Sequence, residues 1–445
     1  MERQLLQQLS AWKESGDRKP LLLHGIRRTG KTWLLREFGR RCYENTACFN
    51  LEKDPEYRQF FETAQNADDI LSCLMMAGSQ RIMPEKTLVI FDGIQDCPGV
   101  INAMKYFCEE APQYHIACAS LPGTALAKQS IPAGSVQLMQ LDPMTFTEFL
   151  AADGDDTLLQ YLDSADTIEP VQDAFFNPLC EKLKMYLVTG GMPEAVLRWT
   201  HDRDAAGIDE ALSRLVDTIK LDFGRHPKVS DFAKISRIWN SVPSQLARKN
   251  KKFVYKAVQE GARAREYGNA LQWLVNARLV HKVYRSSQTC LPLSLYDDLS
   301  TFKLYLADVG ILRSLYGLSP TVFRAGNRLF TEFKGALTEN FVLQSLAAQF
   351  KVMPRYWSQC NPPYEVDFLL QRENDIFPAE VKSDTNVRSR SLKKFRELFP
   401  DQCRLRIRFS LGNLDLNDDL LNIPLFMVDQ TDRLIGLALK EKDKR

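Results

Sequence analysis

Leu21-Leu22-Leu23-His24-Gly25-Ile26-Arg27-Arg28-Thr29-Gly30-Lys31-Thr32 is an apolar run that breaks into G-x-x-x-x-G-K-T. It then enters an amphipathic pattern with Leu34, Leu35 and Phe38 on one face. Strand, glycine-bounded loop and helix, in that order, are the setting in which this motif cradles phosphate. The glycines let backbone N–H groups curl around anionic oxygens, and the helix N-terminus adds its positive end. Gly25, Arg28, Thr29 and Gly30 are therefore candidate loop contacts. Lys31 is expected to reach the β- and γ-phosphates, and Thr32 to place its hydroxyl on a metal ion. The expected ligands are ATP and Mg²⁺.

Outward from the loop, Leu88-Val89-Ile90-Phe91 runs into Asp92, the expected magnesium-side acid. Thr46–Phe49 and Ile116–Ala119 are further short apolar segments, separated by helix-compatible sequence. This alternation predicts a three-layer α/β domain with helices on both faces of a sheet. Ser120 could aim its hydroxyl at the γ-phosphate or the attacking water, or it could simply close a turn. Gln95 could face the same region, but a neutral amide orients water without accepting its proton well. Asp96 would compensate only if its turn brings it inward. Gly93 stands where many hydrolysing ATPases carry a water-positioning glutamate, so slow hydrolysis is expected.

The length of 445 residues predicts two to four domains. With 44% hydrophobic and 26% charged residues, the chain has ample core material and is not a disordered polymer. No apolar run approaches the length of a bilayer span, and the N-terminus lacks a hydrophobic secretory segment. A cytoplasmic protein without an integral membrane segment is expected. The ten cysteines are scattered without a close CxxC pair, which disfavours a zinc cluster or a disulfide framework.

Three domains are expected, over residues 1–220, 221–300 and 301–445. In the second, Phe232 to Trp239 reads as a helix interrupted by Ser241–Pro243, and Asn269–Ala277 as another. Leu279-Val280 and Val283-Tyr284 could then supply a small hairpin, a winged-helix-like order. The net charge of +2 hides fourteen Lys/Arg against three Asp/Glu between Arg225 and Arg285. Such a segment could attract a phosphate backbone, with DNA as the candidate partner, or be a solvated face. Gln245, Asn250 and Asn276 could read base edges, or be buried or capping groups. Arg225 could reach an ATP phosphate in a neighbouring subunit of a homo-oligomer, or form a junction salt bridge; His226 could merely cap or pack there.

Beyond residue 301 a long periodic helix over Phe333 to Phe350 precedes strand-like Val366–Leu370 and Ile376–Val381. Leu392 to Phe399 reads as a helix, and Leu405–Phe409 and Leu425–Val428 as strands. Glu380 and Lys382 alternate onto one side of a strand, and Asp367 could join them across a hairpin. Glu339 precedes them on the helix. Asp367 and Glu380, supported by Glu339, could bind magnesium and activate water on a phosphodiester, with Lys382 as the catalytic cation. This spacing resembles the PD-(D/E)xK nuclease arrangement. A salt-bridge network, or a cleavage-inactive fold kept for binding, is the alternative.

Taken in order, these motifs resemble the bacterial and archaeal ATPases that pair an AAA-like P-loop domain with a C-terminal domain of the DUF4143 type. The resemblance rests on Gly25–Thr32, Asp92-Gly93-Ile94-Gln95, Leu141–Leu150, Gly190–Val196, Ser241–Leu246, Phe302–Gly310 and Lys334–Asn340. It implies ATP binding and a restriction-endonuclease-like C-terminal α/β domain. The chain departs from the family's usual Asp-Glu-Ile-Gln at Gly93, so slow or impaired turnover is expected. Three readings stay open: slow nucleotide turnover coupled to a nucleic-acid-facing region, an ATP-regulated metal-dependent nuclease, and a non-catalytic nucleotide-controlled scaffold.

Overall fold

Leu21, Leu23, Leu88, Ile90, Ala117 and Ala119 are buried in one core cluster, and Leu22, Val89, Phe91, Ile116 and Cys118 in another. Adjacent residues thus face opposite sides of a sheet that is covered on both. Each large apolar side chain buried this way is worth about 1.5–3 kcal/mol relative to exposure. The structure is a computed structural model and describes residues 1–63, 66–122, 134–225, 229–320, 328–383 and 389–444. Two compact units emerge: Met1–Pro143 with Asn276–Leu279, and Met144–Val275 with Val280–Arg445. The expected boundaries at 220 and 300 do not coincide with this division.

In the first unit, β1 (Leu21–His24), β2 (Asn45–Asn50), β3 (Thr87–Asp92), β4 (His115–Ser120) and β5 (Gln137–Gln140) form one parallel sheet in the order β2-β3-β4-β1-β5. The four strands expected from apolar runs are present. β5 was not expected, because Gln137 and Gln140 bracket a short edge strand with only Met139 buried. The register pairs His24 with Ser120, Asp92 with Ala119 and Asn50 with Asp92. The carboxyl ends of β1 to β4 therefore lie together, on the edge where open α/β sheets bind ligands.

The second unit begins with the helices Phe146–Asp153, Asp156–Ser164, Asp173–Thr189 and Pro193–Thr200. The first carries a capping box: the Glu148 N–H donates to Thr145 Oγ1 at 3.2 Å and the Thr145 N–H to Glu148 Oε2 at 3.1 Å. The expected break at Ser241–Pro243 is corrected, since the helix Val229–Leu246 runs through it. Ser241 Oγ bonds back to Ile238 O at 2.8 Å and Ser244 Oγ to Ser241 O at 2.9 Å. Burial of Trp239, Val242 and Leu246 outweighs the single backbone bond missing at proline.

Eight strands complete this unit: β6 (Val280–Ser286), β7 (Asp297–Leu306), β8 (Arg355–Gln359), β9 (Tyr364–Arg372), β10 (Asp375–Val381), β11 (Arg406–Ser410), β12 (Asp415–Asn417) and β13 (Leu420–Pro424). They share one sheet in the order β12-β13-β11-β10-β9-β8-β6-β7. The hairpin expected within 279–284 is one strand, β6, whose antiparallel partner is β7. Both belong to the same sheet as the strands after residue 355. Leu425–Val428, expected as a strand, lies instead in a 3₁₀ segment, Leu425–Gln430, just after β13 ends at Pro424. All four of those residues are buried, and an apolar run alone does not separate the two states.

Several motifs that carried the family resemblance meet in one structural junction. Gly190 has φ +65°, and a Cβ there would lie 2.4 Å from Asp308 Oδ1. Buried Asp308 accepts N–H groups from Gly191 at 2.6 Å and Ile311 at 3.0 Å. Asn340 pairs through its amide with the Leu306 backbone at 2.8 and 3.1 Å. These residues fix the packing of helices against β7.

Candidate nucleotide-binding site

Gly30 has φ +91° and caps the helix Lys31–Cys42, so the loop turns into the helix at a conformation natural to glycine. Arg28 is held at φ +65°, a strained value for a residue with a Cβ, and it is exposed. Gly25 serves close packing: a Cβ there would fall 2.2 Å from Leu141 O. Thr29 is fully buried and donates its hydroxyl to Ile26 O at 3.0 Å. Its role is to hold the loop's shape. The Arg3 guanidinium reinforces that shape by donating to Thr29 O at 2.9 Å and Asp142 O at 2.6 Å. Nothing in the sequence around Arg3, which precedes the helix Leu5–Glu14, marked it out.

Lys31 is buried and donates to Gly25 O at 2.7 Å and Ile26 O at 2.9 Å. Burial lowers its pKa to about 8, Asp92 opposes that shift, and Arg27 adds to it. An ammonium desolvated this way gains strongly from an arriving anion. Thr32 Oγ1 donates to Asp92 Oδ2 at 2.9 Å, and Asn50 Nδ2 reaches the same oxygen at 3.3 Å. Hydroxyl and carboxylate are thus oriented together. That oxygen donor set fits a hydrated Mg²⁺.

Gln95 is half-buried in the 3₁₀ turn Ile94–Asp96 that follows Gly93. Ser120 is buried and donates its hydroxyl to Leu121 O at 3.1 Å, the arrangement of a turn. Arg225 ends the 3₁₀ turn Phe223–Arg225, and His226 lies outside the described residues. In the basic segment Gln245 is buried, bonded to Ser241 Oγ at 3.1 Å and accepting the Val254 N–H at 2.7 Å. It is a structural group and not a base reader. Asn250 accepts the Lys252 N–H at 3.0 Å within a turn.

In the C-terminal constellation the structure brings Glu339 and Asp367 together around a cation of the protein's own. Lys303, buried on β7, lies 3.5 Å from Glu339 Oε1, 2.6 Å from Glu365 Oε1 and 4.0 Å from Asp367 Oδ1. Glu339 also pairs with Lys251 and accepts the Tyr305 hydroxyl at 2.5 Å. Asp367 Oδ2 accepts the Val381 N–H at 2.9 Å, and Glu380 pairs with Lys382. Burial opposes ionisation of Glu339, but Lys251 and Lys303 keep it ionised and its pKa low. Burial, then the charge of Glu339, raises that of Asp367. Among the described residues no group of three His, Cys, Asp or Glu side chains is arranged to hold a metal. The Lys303 ammonium stands among the carboxylates, so as arranged they do not fit Mg²⁺. Lys303 was legible only as a letter in the Phe302–Gly310 motif, because a lysine on an apolar strand carries no sign of what it will pair with.

Residues 17–150 match the family model described as an AAA domain. Residues 180–322 match a domain of unknown function, DUF8612, and residues 334–426 another, DUF4143. No curated protein matched the chain. Among solved structures, the chain is similar to that of Drosophila ORC bound to DNA, at 14% identity, 72% coverage of this chain, 95% of that one and a TM-score of 0.28. The Aeropyrum pernix ORC1 protein in complex with DNA is 14% identical, with 71% and 91% covered and a TM-score of 0.30. The Thermotoga maritima RuvB Holliday junction branch migration motor is 14% identical, with 64% and 90% covered and a TM-score of 0.30. Likenesses this weak assign no function. No helix among the described residues is long and apolar enough to cross a membrane. The chain carries an AAA-like P-loop ATPase domain and a separate C-terminal domain of the DUF4143 type.

Proposed function

We propose that this protein binds ATP with magnesium, turns it over slowly, and uses nucleotide occupancy to alter its affinity for nucleic acid. The observation that carries the nucleotide half is the joint placement of Lys31, Thr32 and Asp92 at one edge of a parallel sheet. Lys31 exchanges its two carbonyl partners for β- and γ-phosphate oxygens. The N–H groups of the loop and of the helix that begins at Lys31 hold the remaining charge. Thr32 and Asp92 would hold a magnesium ion, which when bound supplies charge neutralisation to the phosphates. Slow turnover follows from Gly93, which offers no carboxylate to accept a proton from water.

The nucleic-acid half is supported by Arg248, Lys249, Lys256, Arg263 and Arg265. All are exposed on the connection between the helices Val229–Leu246 and Ala264–Asn276, or at its edge. These are backbone-neutralising cations and carry little base information. For the C-terminal unit, the buried Lys303 favours a binding role over phosphodiester cleavage. Titrating ATP, then duplex DNA with and without ATP, tests the proposal as a whole. Coupling requires each ligand to change the other's affinity by the same factor. No ATP binding would refute the nucleotide half, no DNA binding the nucleic-acid half, and DNA affinity indifferent to ATP their coupling.

A further inference from the structure

We propose that Glu52 supplies the carboxylate that position 93 lacks, and that the protein's residual ATP turnover runs through it; this rests on the nucleotide site proposed above. β2 and β3 run parallel with Asn50 opposite Asp92, and the Leu51 N–H continues the ladder by donating to Asp92 O at 2.9 Å. The chain leaving β2 therefore passes beside Gly93. A Cβ built on Gly93 would lie 3.1 Å from the Glu52 Cβ and 3.2 Å from its backbone nitrogen, closer than ordinary van der Waals contact. A side chain starting at 93 and the side chain of Glu52 compete for one space. Gly93 also sits at φ +72°, where an L side chain is strained. The neighbouring strand thus brings an acid to the place where residue 93 cannot carry one.

A second observation ties this acid to the metal-side carboxylate. Asn50 Oδ1 accepts the N–H groups of Glu52 at 3.0 Å and Lys53 at 2.9 Å, which fixes the turn that presents Glu52. The other end of the same amide, Nδ2, donates to Asp92 Oδ2 at 3.3 Å. One side chain therefore sets Asp92 and the Glu52 turn together. Glu52 is exposed, as a group that meets water must be.

In the proposed step the water oxygen bonds to the γ-phosphorus, and the bond from that phosphorus to the β–γ bridging oxygen breaks. ADP leaves with the electron pair. Glu52 takes one water proton and releases it to solvent, while the other stays on the phosphate product. Nothing is oxidised or reduced.

The test uses the full chain and Glu52→Gln, Glu52→Asp and Lys31→Ala variants. ATP affinity is read by titration, and turnover as phosphate release at saturating Mg-ATP. Glu52→Gln should bind ATP like the unmodified protein and lose about 10²–10⁴-fold in rate, the range for a positioned acid–base group. Glu52→Asp, which keeps the carboxylate on a shorter arm, should retain part of the rate that Glu52→Gln loses. ATP binding with a rate unchanged by Glu52→Gln, or with no turnover above the Lys31→Ala background, would overturn the role of Glu52 and leave the nucleotide site standing. Failure of the unmodified protein to bind ATP would sink both.

Discussion

The Thr32 hydroxyl donates to Asp92 Oδ2 at 2.9 Å, joining the first residue after the loop lysine to the last residue of β3. Asp92 therefore has its partner in place before any ligand arrives. Asp92→Asn keeps the shape and removes the charge that favours a divalent ion. Magnesium should then improve ATP affinity less by roughly tenfold, about 1.4 kcal/mol, than it does for the unmodified protein. Paired titrations with Mg²⁺ and with a chelator read this directly; an identical magnesium effect in both proteins would contradict it.

Lys31 makes the site pH-dependent in a defined direction. Burial lowers its pKa from 10.5 to about 8, so in the free protein the ammonium begins to lose its proton above neutrality. Bound phosphate favours the charged form and raises the pKa again. Between the two values ATP binding must take up protons, and affinity must fall as pH rises through about 8. Calorimetry at about pH 8.5 in two buffers of different ionisation enthalpy should show net proton uptake. Proton release, or affinity rising with pH, would be the wrong sign.

Lys303 neutralises buried acids, so removing its charge is costly. Lys303→Met leaves Glu339 and its neighbours without that cation. The loss should be about 3–5 kcal/mol, as when one partner of a buried ion pair is deleted. Adding Glu339→Gln should recover part of it, since the pair is coupled. Denaturant unfolding of the two variants checks both statements; a Lys303→Met protein as stable as the original would refute the network.

Much of the first unit was legible because its signals are local. Loop, apolar strands and Asp92 each announce themselves within a few residues. β5 did not, since an edge strand of Gln137, Leu138, Met139 and Gln140 has no apolar run to show. The C-terminal acids were found, but their partner was not. Glu339 and Asp367 read with Glu380 as a metal cradle because the sequence shows which residues are acidic and not that Lys303 will stand between the first two. Lys303 and Lys251 come from distant segments. The same limit hid the contacts of Arg3 and the role proposed for Glu52, which depend on strands and loops meeting in space.

Lys251 belongs to the Glu339 network, so it is not available to bind phosphate. Nucleic-acid affinity should instead depend on exposed Lys249, Arg263 and Arg265. Neutralising all three should flatten the salt dependence of duplex DNA binding, by about 0.9 in log–log slope for each DNA phosphate that is no longer neutralised. Unchanged slope and affinity in a folded triple variant would make the basic stretch a solvated face.

The most direct measurement is equilibrium titration of ATP, with magnesium, against the unmodified protein and folded Lys31→Ala. Losing a hydrogen bond to a charged group costs about 1.5–3 kcal/mol, so Kd should rise by roughly ten- to more than a hundredfold. Saturable binding that Lys31→Ala weakens by that amount is the predicted result. Equal affinity in the two proteins, or no binding to the unmodified one, would contradict the nucleotide site.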